Sequence, residues 1–420
     1  MFCGLFSDGR EKNGEKMKVA VLGYGVVGSG VVEVLCHNKS TVEKNAGEPV
    51  DVKYILDIRE FPDHPLAALF TKDFEKIVSD PEVDVVVEVI GGIEPAYTFV
   101  KRSLAAGKSV VTSNKELVAA KGDDLLQTAR NNNVNFMFEA SVGGGIPIIR
   151  PLTVCLAANR IERIYGVLNG TTNYILSIII EKGCTFEEAL KMAQQNGYAE
   201  ANPAADIDGI DACRKIAILA SLAFGVKIEP DRIPTEGIRG LEIRDVTLAK
   251  KVGYVIKLLG VCEQDKDGKV YAAVAPFLLP CGSKLAGCED VFNEIHVEGD
   301  AVGETSFYGR GAGKLPTASA VVADIIDCAL HKAVRKNIFW ALPDMDIMAS
   351  GEKRETSFYA RFSGDADTIG MKLAAQKVIS DENGEFAAIF PAMPEALFFE
   401  KVADLEHCGG IRLKAKYRLF

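Results

Sequence analysis

The chain lacks the features that mark a membrane, secreted or nucleic-acid-binding protein. None of its 420 residues lie in an uninterrupted apolar run of the roughly 18 residues that a membrane span needs. Residues 1–16 contain no apolar segment long enough for a signal peptide. No long block of lysine or arginine occurs and the net charge is -10, which argues against nucleic acid or anionic membranes as main partners. Small molecules are therefore the expected ligands.

Cysteine usage and length set further limits. The ten cysteines form no CxxC pair and no spacing typical of a zinc site, so we expect free thiols in a reducing compartment, the cytoplasm. A chain of 420 residues that is 48% hydrophobic is too long for one ordinary core, which predicts two or three domains. Residues 1–16 are expected to be a disordered extension, with the fold starting at Met17.

From Met17 onward, short β-branched runs alternate with helical patterns. The strand-like runs are "KVAVLG", "VDVKYILDI", "VDVVVEVIGG", "SVVTSN" and "VNFMFEA". Such alternation is typical of an α/β protein with a parallel sheet covered on both faces. We therefore predict a doubly wound sheet of the Rossmann type.

The first strand-to-helix turn carries a glycine fingerprint. Gly23, Gly25 and Gly28 form GxGxxG between a strand and a helix that opens with Val26 and Val27. Glycines there allow a tight turn and close approach of a pyrophosphate to the helix N-terminus. A purely structural turn is the alternative, but the strand before the motif and the helix after it favour dinucleotide binding.

The choice between NAD and NADP stays open. Asp57 ends the second strand, where a carboxylate would bind a ribose 2'-hydroxyl, whereas Arg59 could meet a 2'-phosphate. Because ligands bind beyond the carboxyl ends of the strands, "EVIGGIEPA" is expected to bring Gly91 to the cofactor, and "VVTSNKELVAAKG" Ser113 and Lys115. A solvated lysine at a helix start is the alternative for Lys115.

The segment "GYAEANPAADIDGIDACRK", residues 197–215, concentrates charge just before an apolar helix. A solvated loop is the usual explanation of such a cluster. If residues 209–225 form a helix, Asp208 is suited to be its N-cap, and Asp211 and Lys215 share one face. Beyond Lys215 the helix is apolar on nearly every side, so its charged first turn indicates a pocket. An amine held there could exchange the proton that accompanies hydride transfer between a nicotinamide and a carbonyl.

Several motifs occur in order and resemble homoserine dehydrogenase over about residues 17–330. They are "GYGVVG", "DVVVEVIGG", "TSNKELVAA", "FEASVGGGIPIIRPL", "GVLNGTTNYIL" and the charged segment. The resemblance implies NAD- or NADP-dependent interconversion of L-aspartate 4-semialdehyde and L-homoserine in threonine, methionine and isoleucine biosynthesis. It makes Lys215 the proton donor and acceptor, with Asp211 orienting it and Lys115 near the reacting oxygen. Two neighbouring lysines lower each other's pKa while Asp211 raises that of Lys215, so the sequence leaves the outcome open.

The resemblance also implies how the substrate is held. Glu200 and Asp206 would bind its ammonium group, although an Asx turn in the loop is an alternative for Asp206. Gly170, Thr171 and Tyr198 would supply further polar groups.

"FEASVGGGIPII" combines a glycine turn with the carboxylate of Glu139, which suits a hard cation bound through oxygen. The resemblance places a monovalent cation, Na+, at Glu139 and at the backbone oxygens of Val142, Gly144 and Ile146. A structural role is expected for it.

The resemblance also divides the chain. Residues 17–138 and 305–335 would form the dinucleotide-binding domain, with Gly311 and Gly313 at a helix start near the cofactor or, alternatively, in an ordinary helix cap. Residues 139–304 would form an α+β domain for substrate binding and dimerisation. Its strands "RIERIYGVL" and "KVYAAVAPFLL" would pair in the interface of a homodimer or a dimer of dimers.

The tail, residues 352–420, alternates strand and helix patterns and resembles a small ACT regulatory module. The fit is partial, because such a module usually has one more strand and a proline-glycine pair in the effector loop, where this chain has "SGDADTIG". We therefore expect a folded tail with weak or no response to L-threonine.

Two other functions remain possible from the sequence. One is a non-catalytic regulator that senses dinucleotides, and the other is a related oxidoreductase acting on another small amino-acid aldehyde. Lys115, Glu200, Asp211 and Lys215 together favour an enzyme, because a sensor needs no proton-transfer pair.

Overall fold

The computed structural model describes residues 16–332, 334–364, 375–380, 384–409 and 411–420. The first sheet is wholly parallel, with strand order β3-β2-β1-β4-β5-β6. Its strands are β1 Met17–Leu22, β2 Val50–Leu56, β3 Phe70–Thr71, β4 Val85–Glu88, β5 Ser109–Thr112 and β6 Phe136–Met137. The helices between them are α1 Val26–His37, α2 Lys39–Ala46, α3 Phe74–Val78, α4 Ala96–Ala105 and α5 Lys115–Asn131. The predicted Rossmann-type sheet is confirmed, and the expected extension lies outside the described residues except for Lys16.

The centre of this sheet is buried on both faces. Every residue of β4 is buried, and so are the three consecutive residues Val110, Val111 and Thr112 of β5. Continuous burial is why these strands lack alternation between apolar and polar residues. The strand order reverses between β1 and β4, and this switch point opens the crevice where ligands of such sheets bind.

The second unit is built on an antiparallel sheet of order β11-β10-β7-β8-β9. Its strands are β7 Ile161–Val167, β8 Tyr254–Gln264, β9 Val270–Pro280, β10 Phe292–Gly299 and β11 Gly303–Arg310. Its helices are α6 Gly170–Lys182, α7 Phe186–Gln195, α8 Ala204–Ile207, α9 Ile210–Phe224 and α10 Ile243–Lys251. Helix α9 packs on the sheet at Gly260 of β8. A Cβ added to Gly260 would lie 3.2 Å from the Cβ of Ile216 on α9, tighter than an ordinary contact, so glycine lets the helix approach the strand.

The chain returns to the first sheet through α11, Lys314–Leu330. This helix packs on α1 at Gly30, where a Cβ would lie 3.1 Å from that of Ala318. The expected return at residue 305 falls inside β11, which pairs along its whole length with β10. The crossing therefore follows Arg310, because residues 303–310 belong to the antiparallel sheet.

The strands expected to pair between subunits already have neighbours within the chain. Strand β7 lies between β10 and β8, and β9 is bonded to β8 along its length and to the tail at one end. The backbone N–H and C=O groups of β7 and β9 are therefore largely hydrogen-bonded within the chain. Pairing of these two strands with a second subunit, as the sequence predicted, does not fit this sheet. Strand β11 lies at one edge of this sheet.

The tail extends the same sheet with the order β15-β12-β14-β13. Its elements are β12 Glu355–Ser363, β13 Lys377–Ser380, β14 Glu385–Pro394, α12 Glu395–Gly409 and β15 Arg412–Leu419. β13 is an additional strand that the sequence interpretation did not count. Residues 365–370 of "SGDADTIG" and the first residues of "TIGMKLAAQKVIS" lie outside the described residues.

Two expectations from composition can be compared with the structure. Eight of the cysteines are free thiols: Cys36, Cys155, Cys184, Cys213, Cys262, Cys281, Cys288 and Cys328. Within the described ranges, no helix has the length and apolar character to cross a membrane.

Candidate functional site

The glycine turn after β1 has the geometry of a pyrophosphate site. Gly23 has φ +98° and a Cβ there would lie 3.0 Å from the carbonyl oxygen of Val89, while a Cβ on Gly28 would lie 1.9 Å from the carbonyl oxygen of Gly23. Those two glycines are required by packing. Gly25, the N-cap of α1, has nothing within 4 Å of an added Cβ, so this glycine leaves open space at the helix N-terminus, where an anion is favoured.

Asp57 and Arg59 form a closed pair beside this turn. One Asp57 oxygen accepts the Tyr24 backbone N–H at 2.8 Å, and the other accepts the Arg59 backbone N–H and Nε at 2.9 Å each. These bonds from Arg59 outweigh burial and hold the pKa of Asp57 well below its usual range. The Asp57 side chain is 7% exposed and that of Arg59 is 56% exposed, so the guanidinium is the more accessible group of the pair.

A cavity of about 620 Å³ lies between the two sheets. It brings together most of the residues predicted from the sequence: Val26, Val27, Ser113, Lys115, Val142, Gly144, Gly170, Thr171, Tyr198, Glu200, Asp206, Asp211, Lys215, Gly311 and Gly313. The other predicted residues do not line it; these are Gly23, Gly25, Gly28, Asp57, Arg59, Gly91, Glu139 and Ile146.

Asp211 lies between two lysines at the floor of the cavity. Its Oδ1 is 2.6 Å from Lys115 Nζ, and its Oδ2 is 2.9 Å from Lys215 Nζ. Lys215 also donates to the carbonyl oxygen of Leu168 at 2.8 Å. The side chains of Asp211 and Lys215 are only 5% and 8% exposed, so this end of the charged segment is the wall of a pocket and not a solvated loop.

Helix α9 places this pair. Asp211 and Lys215 are four residues apart on α9, and the neighbouring Arg214 joins Glu116 of α5 at 2.8 Å. That contact holds the start of α5, and hence Lys115, against α9. The prediction that Asp208 caps the helix is wrong: the N-cap is Gly209, with φ +82°, and Asp208 pairs with Arg239 at 2.8 Å. Asp208 instead ends α8, because the chain turns once more before α9.

The electrostatics of the three groups are coupled. Burial opposes charge on Asp211, but Lys215 and Lys115 hold its pKa well below the ordinary value. Asp211 raises the pKa of Lys115. Burial lowers the pKa of Lys215, against the pull of Asp211. The structure thus distinguishes two lysines that the sequence could not: Lys115 holds its proton more firmly, and Lys215 gives it up more readily.

Asn169 is a site residue that the sequence interpretation missed. Its Nδ2 donates to Asp206 at 2.7 Å and to Asp211 at 2.8 Å, and its Oδ1 accepts the Thr172 N–H as the N-cap of α6. One side chain therefore orients both carboxylates. Its position at the start of "NGTTN", directly after a strand, was the available signal, since asparagine is a favoured N-cap.

The groups expected to hold the substrate line the same cavity. The Glu200 carboxylate lines the cavity, and no described residue pairs with it. Burial and then Asp211 raise the pKa of Asp206. Thr171 donates its hydroxyl to the Tyr198 carbonyl at 2.7 Å, which ties the start of α6 to the loop before α8.

The Glu139 side chain, predicted as a cation ligand, lies at the glycine turn after β6 and is bonded to backbone N–H groups. The Glu139 carboxylate accepts three backbone N–H groups, from Ile148 at 2.6 Å and from Ile149 and Arg150 at 2.7 Å each. Its oxygens are therefore committed to the start of the next helical segment. Gly144 has φ +57° and packs on Gly311. A Cβ added to Gly144 would lie 2.3 Å from the carbonyl oxygen of Gly311.

Two further residues were not predicted. Glu88 is fully buried at the end of β4, and it accepts the backbone N–H of Gly91 at 3.2 Å and the Thr112 hydroxyl at 2.6 Å. It shapes the loop that carries Gly91. Arg310 lines the cavity, with its guanidinium 5.2 Å from the centre of the Phe292 ring. The sequence signal for Arg310 was its place directly before Gly311 at the return to the nucleotide domain.

Known proteins with similar sequences and structures share one identity. Residues 23–139 match the family described as homoserine dehydrogenase, NAD binding domain, and residues 147–326 match the family described as homoserine dehydrogenase. The homoserine dehydrogenase of Bacillus subtilis is 38% identical over 394 residues, which cover 93% of this chain and 88% of that protein. That of Pseudomonas aeruginosa is 44% identical, covering 74% of this chain and 72% of its own.

Solved structures agree over nearly the whole chain. A homoserine dehydrogenase from Thiobacillus denitrificans has a TM-score of 0.90 at 37% identity, covering 96% of this chain and 98% of that one. A hyperthermophilic archaeal homoserine dehydrogenase in complex with NADPH has a TM-score of 0.63 at 28% identity, covering 75% of this chain and 98% of that one. With its parallel nucleotide-binding sheet, its lysine–aspartate–lysine cluster and these relatives, the chain belongs to the homoserine dehydrogenase family.

Proposed function

We propose that Lys215 is the acid and base in the NAD(P)-dependent interconversion of L-aspartate 4-semialdehyde and L-homoserine by this chain. The observation that carries the proposal is the small set of contacts at its Nζ. Within the described residues, Nζ donates to the Leu168 carbonyl and forms an ion pair with Asp211 at 2.9 Å. A lysine ammonium has three N–H donors, so one is left for an oxygen atom in the cavity.

The proton balance assigns a state to Lys215 in each direction. In reduction, the protonated lysine gives its proton to the carbonyl oxygen of the semialdehyde, which becomes the hydroxyl of homoserine. In oxidation, the neutral lysine accepts the proton of that hydroxyl. A nicotinamide bound here would supply the hydride in reduction and accept it in oxidation. The lowered pKa of Lys215 suits a group that must work in both states.

Asp211 and Lys115 support that transfer. Asp211 forms ion pairs with both ammonium groups, at 2.6 and 2.9 Å, and would fix the direction of Lys215. Lys115, whose pKa Asp211 raises, stays protonated and stabilises the charge that develops on the reacting oxygen.

The charges of the cavity match a substrate that carries an ammonium and a carboxylate. Glu200, without a partner among the described residues, would bind the ammonium together with Asp206, which Asn169 holds at 2.7 Å. Helix α6 begins at Gly170 and Thr171, so its N-terminal N–H groups would receive the carboxylate. Tyr198 is 42% exposed and would cover the bound substrate.

The cofactor would lie along the glycine turn, with Ser113, Gly311 and Gly313 around its nicotinamide end. For the 2'-position we favour NADP, because Asp57 is buried against the Tyr24 backbone and Arg59 is the exposed group. A guanidinium is suited to a phosphate. The relative solved with NADPH supports this preference.

A sodium ion, if bound, would be held by backbone oxygens of Val142, Gly144 and Ile146, to which no described residue donates. The Glu139 carboxylate already accepts three N–H groups, so we favour its backbone oxygen over its side chain as a ligand. The ion would stabilise the turn that packs on Gly311.

We also propose a cytoplasmic homodimer. The free thiols fit a reducing compartment. The exposed outer strand β11, with Tyr308 57% exposed, offers an unpaired edge to a second copy. Light scattering should give twice the chain mass of 45.3 kDa; a mass near that of one chain would contradict the dimer.

The tail would be an ACT-like module that responds weakly or not at all to L-threonine. The strand order β15-β12-β14-β13 gives it a folded core with the side chains of Phe358, Phe390 and Phe398 fully buried. Initial rates in millimolar threonine, on the full chain and on one ending near Ala349, test this. Strong inhibition that truncation removes would show an effector site.

The decisive test of the function is a spectrophotometric assay of nicotinamide reduction with L-homoserine, run in parallel with NAD and NADP. Turnover of homoserine is expected. Dinucleotide binding without turnover would favour the sensing regulator, and turnover of another amino alcohol alone would favour the related oxidoreductase.

A further inference from the structure

The last strand of the tail carries two cations that meet one carboxylate of the substrate domain. Lys416 Nζ lies 3.0 and 2.9 Å from the two oxygens of Glu236, and Arg418 Nη1 lies 2.8 Å from one of them. Arg418 is itself fixed by Glu395, whose oxygen is 2.8 Å from Nε. The three partners are buried or half-buried, so this is a firm contact and not a solvated surface pair.

Glu236 lies in a loop, residues 234–239, that is fastened to the turn between α8 and α9. The Ile238 N–H donates to the Ile207 carbonyl at 2.8 Å, and a Cβ on Gly237 would lie 2.1 Å from that same oxygen. Arg239 holds both oxygens of Asp208, at 2.9 and 2.8 Å. The loop and the turn therefore move together.

That turn carries the acidic groups of the cavity. Asp206 precedes Ile207 directly, and Asp211 lies in the first turn of α9, just beyond Gly209. A Cβ on Gly209 would lie 3.0 Å from the Thr235 side chain, which shows how closely the loop supports the turn.

We infer that Glu236 is a positioning residue, through which Lys416 and Arg418 of the tail hold Asp206 and Asp211 in place for the substrate. The tail would then be needed for substrate affinity without binding any effector. The inference rests on the proposed roles of Asp206 and Asp211.

The test is Glu236→Gln in the full chain, compared with Glu263→Gln. Glu263 is a matched control because it also joins two cations, Arg354 of the tail at 3.0 Å and Arg163 at 3.7 Å. Its side chain is 33% exposed against 39% for Glu236. Glu263 does not contact the loop or the turn.

We expect Glu236→Gln to raise KM for homoserine by about 2- to 30-fold, the range typical of coupling through neighbouring residues. The cofactor dissociation constant, measured without homoserine, should stay unchanged. Glu263→Gln should change neither KM for homoserine nor the cofactor dissociation constant, even if it lowers Tm as much as Glu236→Gln does. A purely structural clamp would lower Tm without changing KM.

A second variant covers the case in which Glu236→Gln folds poorly. Lys416→Met should also raise KM for homoserine, and Lys416→Arg should restore it. Combining Lys416→Met with Glu236→Gln should add little to the effect of Glu236→Gln alone, because both changes remove the same contact. Equal KM values for wild type, Glu236→Gln and Lys416→Met would overturn the inference. If the wild type itself fails to oxidise homoserine, the proposed function fails first, and the two results are distinct.

Discussion

Replacing Lys215 by methionine removes the proposed acid and base while keeping the length of the side chain. Methionine has no donor for Leu168, Asp211 or the substrate oxygen. Loss of a general acid or base typically costs a factor of about 10² to 10⁴ in rate, which corresponds to about 2.7 to 5.5 kcal/mol of transition-state stabilisation. We expect kcat to fall by that factor in both directions.

The fold should tolerate this change. Asp211 keeps its contacts with Lys115 at 2.6 Å and with Asn169 at 2.8 Å, and the buried ammonium that disappears was itself costly to bury. The cofactor dissociation constant should stay within about twofold, since Lys215 lies on α9 and makes no contact with the glycine turn.

A matched control is Lys227→Met. Lys227 is also a poorly exposed lysine, at 10%, and it pairs with Asp123 and Glu229 at 2.9 Å each, but it does not line the cavity. This variant should lose stability and keep kcat. Steady-state rates with homoserine, and cofactor titrations by fluorescence, check both variants. A near-normal kcat for Lys215→Met, or an equal loss in Lys227→Met, would refute the assignment.

Three other predictions use the same assay. Glu200→Gln should raise KM for homoserine about tenfold, with little change for the cofactor, because it removes one charge from a hydrogen-bonded ion pair; an unchanged KM would make Glu200 a loop residue. Homoserine oxidation needs neutral Lys215, so its rate should rise with pH through the lowered pKa of that lysine. The Asp211 charge raises the pKa of Lys215, so Asp211→Asn should lower that pKa further. The rise of the oxidation rate with pH should therefore occur at lower pH in this variant; a shift to higher pH would contradict the coupling. Arg59→Ala should raise KM for NADP about tenfold and leave that for NAD nearly constant; the reverse pattern would assign the 2'-position to Asp57.

Local patterns determined the parallel sheet and indicated a charged pocket at the start of α9. Parallel strands that are buried on both faces are apolar throughout, so "KVAVLG" predicts a central strand without any structure. Glycines between a strand and a helix leave the backbone accessible to a pyrophosphate, so "GYGVVG" predicts a dinucleotide site in the same way. The four-residue spacing of Asp211 and Lys215 placed them on one helical face, and the structure has them 2.9 Å apart.

Contacts between distant segments could only come from the tertiary structure. Lys115 and Asp211 meet at 2.6 Å although nearly a hundred residues separate them, and Asn169 reaches both Asp206 and Asp211 only because α6 and α9 start side by side. The commitment of the Glu139 carboxylate to three N–H groups, the closed Asp57–Arg59 pair and the reach of Lys416 to Glu236 have the same origin. A sequence pattern with a period of two or of 3.6 residues reports which face of an element is buried, but not which other element covers that face. Burial of Lys215, which lowers its pKa, depends on that covering, so the opposite pKa shifts of the two lysines could only come from the tertiary structure.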